Sequence, residues 1–351
     1  MPHVRLNRRA FGALTVLSAA AVIAPGSVPA QGRAAARAPI TIAVGGGQSA
    51  LYYLPLALAD QLGYFRAEGL DVKLLDFSAG AKALQAVQQG LADVGAGAFE
   101  HTLRMQAQGQ AYQSLVLMGR APQLALGVSL RSVPGYKSLA DLTGRRIGVS
   151  SVGSSTHLAA SLVLSAAGVP AKNVAFVNVG SGTSAMNALR QGQVHALCHV
   201  DPVMTLLEQK AHIRIVSDMR SLKAAEDVFG GTMPASCLYA PPAFVQKQPA
   251  QAQALANGIV HALKWLQTAA PADLVRTVPA GYLMGDQGLY LAAFGRLRET
   301  YSPNGMVPDD GAATAKRALL RVYPELSDAR MELTRSYTND LVRKARVKFN
   351  V

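Results

Sequence analysis

Residues 148–164 read GVSSVGSSTHLAASLVL. The apolar residues before Ser150 predict the end of a strand, the serines and glycines predict a loop, and the apolar spacing from Leu158 onward predicts a helix. Six residues between strand and helix are glycines or carry a hydroxyl group, and none of the six is charged. In open α/β sheets, ligands bind beyond the carboxyl ends of strands, and helix N-termini present unpaired N–H groups. The stretch therefore predicts a binding loop of neutral donors.

A purely structural role for this loop is the alternative. Ser154 or Ser155 has the residue type that caps the N-terminus of a helix. The two roles are compatible, since one hydroxyl can cap while others contact a ligand. We expect contact from Ser154, Ser155 or Thr156, with Gly153 allowing the backbone to approach closely.

Predicted strands and helices alternate along the rest of the N-terminal half. Residues 40–44 form an apolar strand-like run. Residues 51–63 have helical periodicity and end at Gly63, in the usual position of a helix C-cap. A second strand-like run follows at residues 70–77. Such alternation indicates an α/β sheet with helices on its faces.

This pattern occurs a second time about 100 residues later. Residues 78–96 (SAGAKALQAVQQGLADVGA) align with residues 180–198 (GSGTSAMNALRQGQVHALC), so that Gly90 falls on Gly192. The two copies predict two similar α/β lobes that face each other. The alternative is that the similarity reflects only the spacing that any two βαβ units share, and not a repeated lobe.

After residue 250 the pattern changes to helices alone. Four helical runs, separated by Pro and Gly, cover residues 252–269, 288–301, 312–326 and 330–346. We expect them to pack on the first lobe, after a strand near residues 235–244 (ASCLYAPPAF) has returned the chain to it.

The first 30 residues have the composition of a secretory signal. Arg8 and Arg9 precede an apolar run at residues 13–24, which is shorter than the roughly 20 residues that span a bilayer. The paired arginines resemble the twin-arginine export signal. We expect cleavage after Ala30 and export to the periplasm; the alternative is an uncleaved membrane anchor.

Charge and cysteine content narrow the function classes. Lys and Arg total 34 against 21 Asp and Glu, a net charge of +13, but the charges are scattered and export excludes a chromosomal partner. We therefore predict no nucleic-acid binding. Cys198 and Cys237 could pair in an oxidising compartment. We favour two separate buried thiols, because a chain of this size does not need a single bridge.

Three stretches together carry a family resemblance. They are YYLPLALADQLGYFRAEGLDVKLLDF (52–77), GAKALQAVQQGLADVGAGAF (80–99) and KSLADLTGRRIGVSSVGSSTHLAASLVLSAAGV (137–169). In order and spacing they resemble the solute-binding proteins of nitrate, sulfonate and taurine ABC importers, a group that includes thiamine-pyrimidine binding proteins. The resemblance covers about residues 40–350.

The resemblance implies an α/β, two-lobed periplasmic binding protein fold of type II, in which each lobe is a mixed sheet flanked by helices. We expect lobe 1 to comprise residues 40–124 and 237–351, and lobe 2 residues 125–236. Two hinge crossings are expected near residues 120–126 and 230–238. The family further implies a monomer that traps a small molecule in the cleft and docks on a membrane permease, without cofactor, metal or chemistry.

Within this architecture, the ligand-binding residues are predicted from their positions at strand ends and helix starts. The predicted set is Gly46, Gln48, Ser49, Tyr52, Ser78, Ala79, Gly80, Gly97, Phe99, Gly153, Ser154, Ser155, Thr156, Ser181, Gly182, His199 and Asp201. Tyr52, Tyr53 and Phe99 are expected either to stack on a ring-bearing ligand or to pack in the core.

Asp201 and His199 have alternative roles. Asp201 either accepts a ligand amine or hydroxyl or caps the following helix, with Pro202 at its first position. Two side chains without a third are too few for a metal site. Arg120 either faces the mouth of the cleft or is solvated.

A small anion such as a sulfonate, nitrate or taurine is the expected ligand, because it suits helix starts. A neutral aromatic such as a pyrimidine is the alternative, and a sensory module that presents ligand to a receptor is another. A eukaryotic enzyme that makes the thiamine pyrimidine resembles this chain in outline. The sequence contains neither the CCCFC motif of that enzyme type nor GxSxG, HExxH or a P-loop, so catalysis is not expected.

Overall fold

A computed structural model describes residues 39–46 and 50–351. The predicted signal peptide and two predicted site residues, Gln48 and Ser49, lie outside the described residues.

The described chain consists of short strands and helices in alternation. The strands are β1 (Ile40–Gly45), β2 (Val72–Phe77), β3 (Val94–Ala98), β4 (Gln113–Leu117), β5 (Leu124–Ser129), β6 (Arg146–Val149), β7 (Ala175–Asn178), β8 (Ala196–Val200), β9 (Ile213–Met219) and β10 (Ser236–Ala240). The helices are α1 (Leu54–Gln61), α2 (Tyr64–Ala67), α3 (Gly80–Gln88), α4 (Glu100–Ala107), α5 (Ser155–Ala166), α6 (Thr183–Arg190), α7 (Val203–Gln209), α8 (Leu222–Phe229), α9 (Pro242–Lys247), α10 (Pro249–Thr268), α11 (Pro271–Thr277), α12 (Gln287–Leu297), α13 (Gly311–Val322) and α14 (Asp340–Phe349).

The strands form two mixed sheets of five strands each. The first sheet has the order β2-β1-β3-β10-β4, and the second has the order β7-β6-β8-β5-β9. In each sheet three parallel strands are followed by one antiparallel strand, β10 in the first and β5 in the second. This confirms the predicted fold class.

The internal repeat corresponds to equal positions in the two sheets. β3 begins at Val94 and β8 at Ala196, and each is the third strand of its sheet. α3 and α6 follow the edge strands β2 and β7 in the same way. The small-residue loops of the two copies therefore lie at equivalent sheet edges.

Two connections carry the chain between the sheets. Residues 118–123 join β4 to β5, and residues 230–235 join α8 to β10. The connections are hydrogen-bonded to each other where they leave the first sheet: Gly119 N donates to Ser236 O (3.0 Å), and Ala235 N donates to Gly119 O (2.9 Å). Movement of one connection is therefore coupled to movement of the other.

The C-terminal helices contact both sheets, which differs from the expectation that they pack on the first lobe alone. α10 packs against α1, α2 and α14 beside the first sheet, but α12 contacts α7, and α13 contacts α4, α5 and α8. Ala315 and Leu319 on α13 join one apolar cluster with Phe99 and Leu158. That cluster extends from the first sheet to the second, so burial of apolar surface holds the two together.

The run at residues 330–346 is not one helix. A single 3-10 turn, Leu333–Arg335, precedes α14, which begins only at Asp340. Ser114 N donates to Ser336 O (2.8 Å), and Thr338 N donates to Ser114 O (3.0 Å). These backbone groups pair with the edge strand β4 and are not free for a helix.

Cys198 and Cys237 are separate buried thiols, as we favoured. Cys198 lies on β8 and Cys237 on β10, in different sheets. Burial raises the pKa of each thiol to about 12.

Among the described helices, none combines the length and hydropathy that a membrane crossing requires.

Two helical glycines provide a test of the packing of α10. A Cβ at Gly258 would lie 2.5 Å from Cδ1 of the buried Phe65, whereas a Cβ at Gly295 on α12 would meet nothing within 4 Å. We expect Gly295→Ala to stabilise the protein by about 0.5–1 kcal/mol, because Ala is the better helix former. Gly258→Ala should instead destabilise it by about 1–3 kcal/mol through overpacking. Urea unfolding measures both, and equal effects of the two substitutions would contradict the close packing of α10 on α2.

Candidate functional site

A cavity lies at the carboxyl ends of the parallel strands of both sheets. The space between its walls, including the part open to solvent, is about 400 Å³. The residues that line it are Gly45, Gly46, Ala50, Tyr52, Tyr53, Gly80, Ala98, His101, Ser150, Ser154, Ser155, Thr156, His199 and Val200. Both sheets contribute, because the ends of β1 and β3 face the ends of β6 and β8 across the cavity.

A glycine at the end of β1 brings two elements of the first sheet together. A Cβ on Gly45 would overlap the Cα of Gly80 and lie 2.7 Å from its nitrogen. Only a residue without a side chain therefore allows the start of α3 to approach the end of β1. This approach places the N-terminal N–H groups of α3 at the cavity.

The side chain of Ser154 reaches across to the opposite sheet. Ser154 occupies the N-cap position of α5, yet its hydroxyl forms no capping bond to that helix. Its Oγ instead accepts a hydrogen bond of 3.1 Å from Ala81 N, in the first turn of α3. The loop is bonded to the first sheet a second time through Arg104 on α4, whose Nη1 donates to Gly153 O (2.7 Å).

The two following hydroxyls have different surroundings. Thr156 Oγ1 accepts from Ser150 N (3.0 Å) and lies 2.9 Å from Ser150 Oγ, which fixes the loop to the start of α5. Ser155 lines the cavity together with Tyr52. Ser155 thus presents a hydroxyl to the cavity, whereas the Thr156 hydroxyl is committed to its own loop.

Two buried histidines face the cavity in neutral form. Burial, assisted by the positive charge of Arg104, lowers the pKa of His101 to about 3. Neither ring nitrogen of His101 has a hydrogen-bond partner within the described residues. Burial also lowers the pKa of His199, whose Nε2 lies 3.0 Å from Gly180 O. His101 therefore offers one donor and one acceptor that the protein does not use.

The cavity is polar without formal charge. Its described lining contains hydroxyls, imidazoles, two tyrosines and small residues, and none of those residues is a Lys, Arg, Asp or Glu. Burial raises the pKa of both Tyr52 and Tyr53, so both phenols are neutral. The site can form neutral hydrogen bonds and ring contacts.

A second, smaller compartment adjoins the cavity. The space between its walls, including the part open to solvent, is about 210 Å³, and it shares Tyr52 and Ser155 with the first cavity. Its walls are largely apolar, and its one acidic side chain among the described residues is Glu100. Glu100 is 3% exposed, and its Oε1 has no partner. Burial raises the pKa of this carboxyl group to about 7.

The predicted site residues divide into two groups. Gly46, Tyr52, Gly80, Ser154, Ser155, Thr156 and His199 line the cavity, as does Tyr53. The remaining described ones do not: Ser78, Ala79, Gly97, Phe99, Gly153, Ser181, Gly182 and Asp201. Of these, Phe99 is fully buried and packs near Tyr337, with ring centroids 6.3 Å apart, so it belongs to the core. Gly97 is covered by the ring of Tyr239.

Asp201 turns away from the cavity into an ion cluster. Its Oδ1 accepts from Thr205 N (2.8 Å), the capping role considered above, and its Oδ2 lies 3.4 Å from Arg220 Nη1. Arg220 is fully buried and also pairs with Asp218 (2.7 Å) and Glu208 (3.3 Å). These contacts occupy the Asp201 carboxylate and support the loop behind the site.

The remaining cation named from the sequence lies elsewhere. Arg120 Nε donates to Glu299 O (3.0 Å), and the side chain lines an outer groove with Leu263 and Tyr301. It does not line the cavity between the sheets.

Sequence reasoning missed Gly45, Ser150, Glu100 and His101. The prediction stopped at Phe99, the end of an apolar run, whereas the side chains that face the cleft come one and two residues later, in the first turn of α4. The signal available in the sequence was the polar pair Glu100 and His101 directly after a buried strand. The sequence pattern did not distinguish this pair from the start of an exposed helix.

Comparison with known proteins gives one family match. Residues 50–271 match the family model described as NMT1/THI5 like. Two curated fungal relatives are named 4-amino-5-hydroxymethyl-2-methylpyrimidine phosphate synthase: one from Schizosaccharomyces pombe, 31% identical over 28% of each chain, and one from Uromyces fabae, 28% identical over 50% of this chain and 51% of the relative. The chain therefore matches about half or less of the length of these relatives.

Solved structures extend the similarity over the described chain. A protein from Bordetella bronchiseptica RB50 is 48% identical, with a TM-score of 0.87 over 90% of this chain and 99% of the other. The nitrate-binding protein NrtA from Synechocystis PCC 6803 has a TM-score of 0.71 at 12% identity, covering 89% of both chains. The alkanesulfonate-binding protein SsuA from Xanthomonas axonopodis pv. citri, solved with MOPS, has a TM-score of 0.62 at 21% identity over 89% of this chain and 99% of the other. The last two similarities establish a shared periplasmic binding protein fold.

The Thr156 hydroxyl provides a test of the loop geometry. Thr156→Val keeps the side-chain shape and removes the acceptor for the buried Ser150 N–H. We expect it to lower the free energy of unfolding by about 1–3 kcal/mol, the cost of an unpaired buried donor. Thr156→Ser, the control, keeps the hydroxyl and should retain most of the stability. Urea unfolding followed by circular dichroism measures both variants, and wild-type stability of Thr156→Val would contradict the bond.

Proposed function

The chain belongs to the NMT1/THI5-like family, and on that premise we propose that it is the periplasmic solute-binding component of an ABC importer. It would capture a small molecule between the two sheets and deliver it to a membrane permease. The observation that carries this proposal is the cavity at the facing strand ends, to which both sheets contribute hydroxyl, imidazole and phenol groups. A ligand there would contact both sheets at once and stabilise their approach.

The uncharged lining favours a neutral ring over a small anion. A buried anion requires charge-assisted hydrogen bonds or a cationic partner, and the described lining offers no Lys or Arg. A heteroaromatic ring can use the donor and acceptor of His101 and the hydroxyl of Ser155, with Tyr52 and Tyr53 as apolar surfaces. The anion expected from the sequence is retained as the second candidate, because the starts of α3 and α5 face the cavity and supply N–H groups.

We further propose that the ligand leaves unchanged. The cavity offers no thiol, carboxylate or cationic amine among its described lining residues, and burial lowers the pKa of His101 to about 3, which makes that imidazole a weak general base for the lining hydroxyls. The relatives named as synthases make conversion of a pyrimidine the alternative to be tested.

The ligand class is tested with three probes. They are 4-amino-5-hydroxymethyl-2-methylpyrimidine, the sulfonate MOPS and nitrate, each titrated against the purified protein while thermal unfolding is recorded. The pyrimidine should stabilise the protein saturably, by about 2.7 kcal/mol at 100 times its Kd. Mass spectrometry should recover it unchanged. Stabilisation by MOPS or nitrate alone would overturn the neutral-ring assignment, and conversion at a rate proportional to protein concentration would overturn the binding-protein role.

A variant pair connects that binding to the cavity. Ser155→Ala removes a hydroxyl at the cavity, whereas Ser165→Ala removes an exposed one near the other end of the same helix. We expect Ser155→Ala to weaken the pyrimidine by about 2- to 10-fold, the value of one neutral hydrogen bond, and Ser165→Ala to leave its affinity unchanged. Equal affinities of the two variants would place the ligand elsewhere.

Export through the twin-arginine route is part of the proposal. We expect mature protein to begin near Gln31, and replacement of Arg8 and Arg9 by Lys to block export. N-terminal sequencing and cell fractionation measure both. Normal periplasmic accumulation of the double variant would point to the general secretory route.

A further inference from the structure

Glu100 is a buried acid that the proposed cavity does not use. It is the first residue of α4 and faces the smaller compartment beside the cavity. It forms no ion pair within the described part of the chain. Arg104, one turn later on the same helix, donates to Gly153 O and lies over the Tyr323 ring, 5.0 Å from its centroid. The positive charge of Arg104 lowers the pKa of Glu100, but burial outweighs it, and no ion pair joins the two side chains in the described part of the chain.

The walls around Glu100 come from the second sheet, from helices beside it and from both connections. Leu124 and Leu158 contribute from the second sheet and from α5, and Phe229 contributes from α8. Pro122 lies on one connection and Met233 on the other. The compartment is thus a largely apolar pocket with a single acidic group, and it shares the wall residues Tyr52 and Ser155 with the main cavity.

We propose that Glu100 and this apolar compartment form a second subsite of the cleft, which receives an ammonium group carried on an apolar arm of the ligand. The ammonium would donate to Glu100 Oε1, the unpartnered oxygen, while the arm contacts Leu158, Phe229 and Met233. This inference rests on the proposed function, because it assigns one end of the ligand held in the same cleft. Burying an acid without a partner costs free energy, and a bound ammonium would remove that cost.

The subsite should depend on pH through Glu100 alone. The groups that face it are Tyr52, Tyr53, Cys237, Tyr239, Tyr323 and Arg104. Burial raises the pKa of the four tyrosines and the thiol above their ordinary values, so they stay neutral near pH 7. His101, beside Glu100, has its pKa lowered to about 3 and is neutral as well. The pKa of Glu100 is about 7, so its charged form, and with it ammonium binding, increases as the pH rises through 7.

The experiment uses benzylamine and benzyl alcohol as probes of equal shape that differ in charge. Met233 lines the compartment, and the methyl resonance of a ¹³C-labelled methionine reports on its surroundings; a Met233→Leu variant assigns it. At pH 8, benzylamine should shift the Met233 resonance saturably and bind at least about tenfold more tightly than benzyl alcohol, the ratio expected for a charge-assisted bond. At pH 6 its affinity should fall about tenfold, since most of the Glu100 carboxyl groups are then protonated.

Two variants separate the carboxylate from the pocket. Glu100→Gln keeps the side-chain shape and should reduce the preference for benzylamine to less than about twofold. Asp71→Asn removes an exposed acid just before β2 and should leave the preference intact. If Glu100→Gln does not fold, the pH dependence in the wild-type protein decides. Absence of a saturable Met233 shift, or a benzylamine preference unchanged by pH or by Glu100→Gln, would overturn the subsite.

The outcome is independent of the main cavity. If the pyrimidine, MOPS or nitrate stabilises the protein while benzylamine shows no preference at Met233, the subsite is wrong and the binding-protein role stands. If benzylamine binds at Met233 as described while none of those probes stabilises the protein, the subsite stands and the proposed ligand classes of the main cavity fail.

Discussion

Each sheet is completed by a strand that the chain reaches only by way of the other sheet. The three parallel strands of the first sheet are followed by β10, which comes after the whole second sheet in sequence, and β5 enters the second sheet directly from β4. The chain must therefore cross twice, and hydrogen bonds between Gly119 and the residues around Ser236 hold the crossings side by side. The cleft, its walls and its second compartment all follow from this pair of crossings.

Because the crossings lie together, the carboxyl ends of the parallel strands face one another. Each strand end is followed by a helix start, so unpaired N–H groups and short polar side chains gather in one place. The Ser154 hydroxyl illustrates the result. It leaves the N–H groups of its own helix to other partners and accepts instead from Ala81, across the cleft.

The arginines near the cleft are bound by other protein groups, and the described lining of the cavity carries no formal charge. Arg220, the largest fully buried side chain, is balanced by Asp201, Asp218 and Glu208 behind the β8 loop. Arg104 is bonded to Gly153 and covered by Tyr323. Glu100 is the exception among the buried acids, since it has no such partner in the described chain.

Local sequence pattern was sufficient to predict the strands and helices and about half of the residues that line the cavity. Strand and helix periodicity predicted the α/β class, the repeat predicted two similar sheets, and the position of residues 150–156 after a strand predicted a loop at the cavity. These features depend on side-chain spacing along the chain, which sequence displays directly. Gly46, Tyr52, Gly80 and His199, which were predicted to bind ligand, line this cavity.

Tertiary structure decided what each polar group faces. Asp201 and Phe99 lie at strand ends, as the lining residues do. The Asp201 carboxylate nevertheless pairs with Arg220, and Phe99 packs in the core. Glu100 and His101 begin an ordinary helix, and only the crossing of the chain brings the second sheet over them. Residues 330–346 do not form one helix for a similar reason, because backbone groups of Ser336 and Thr338 hydrogen-bond to Ser114 on the edge strand β4. Such outcomes depend on contacts between residues distant in sequence, whose energies local periodicity does not contain.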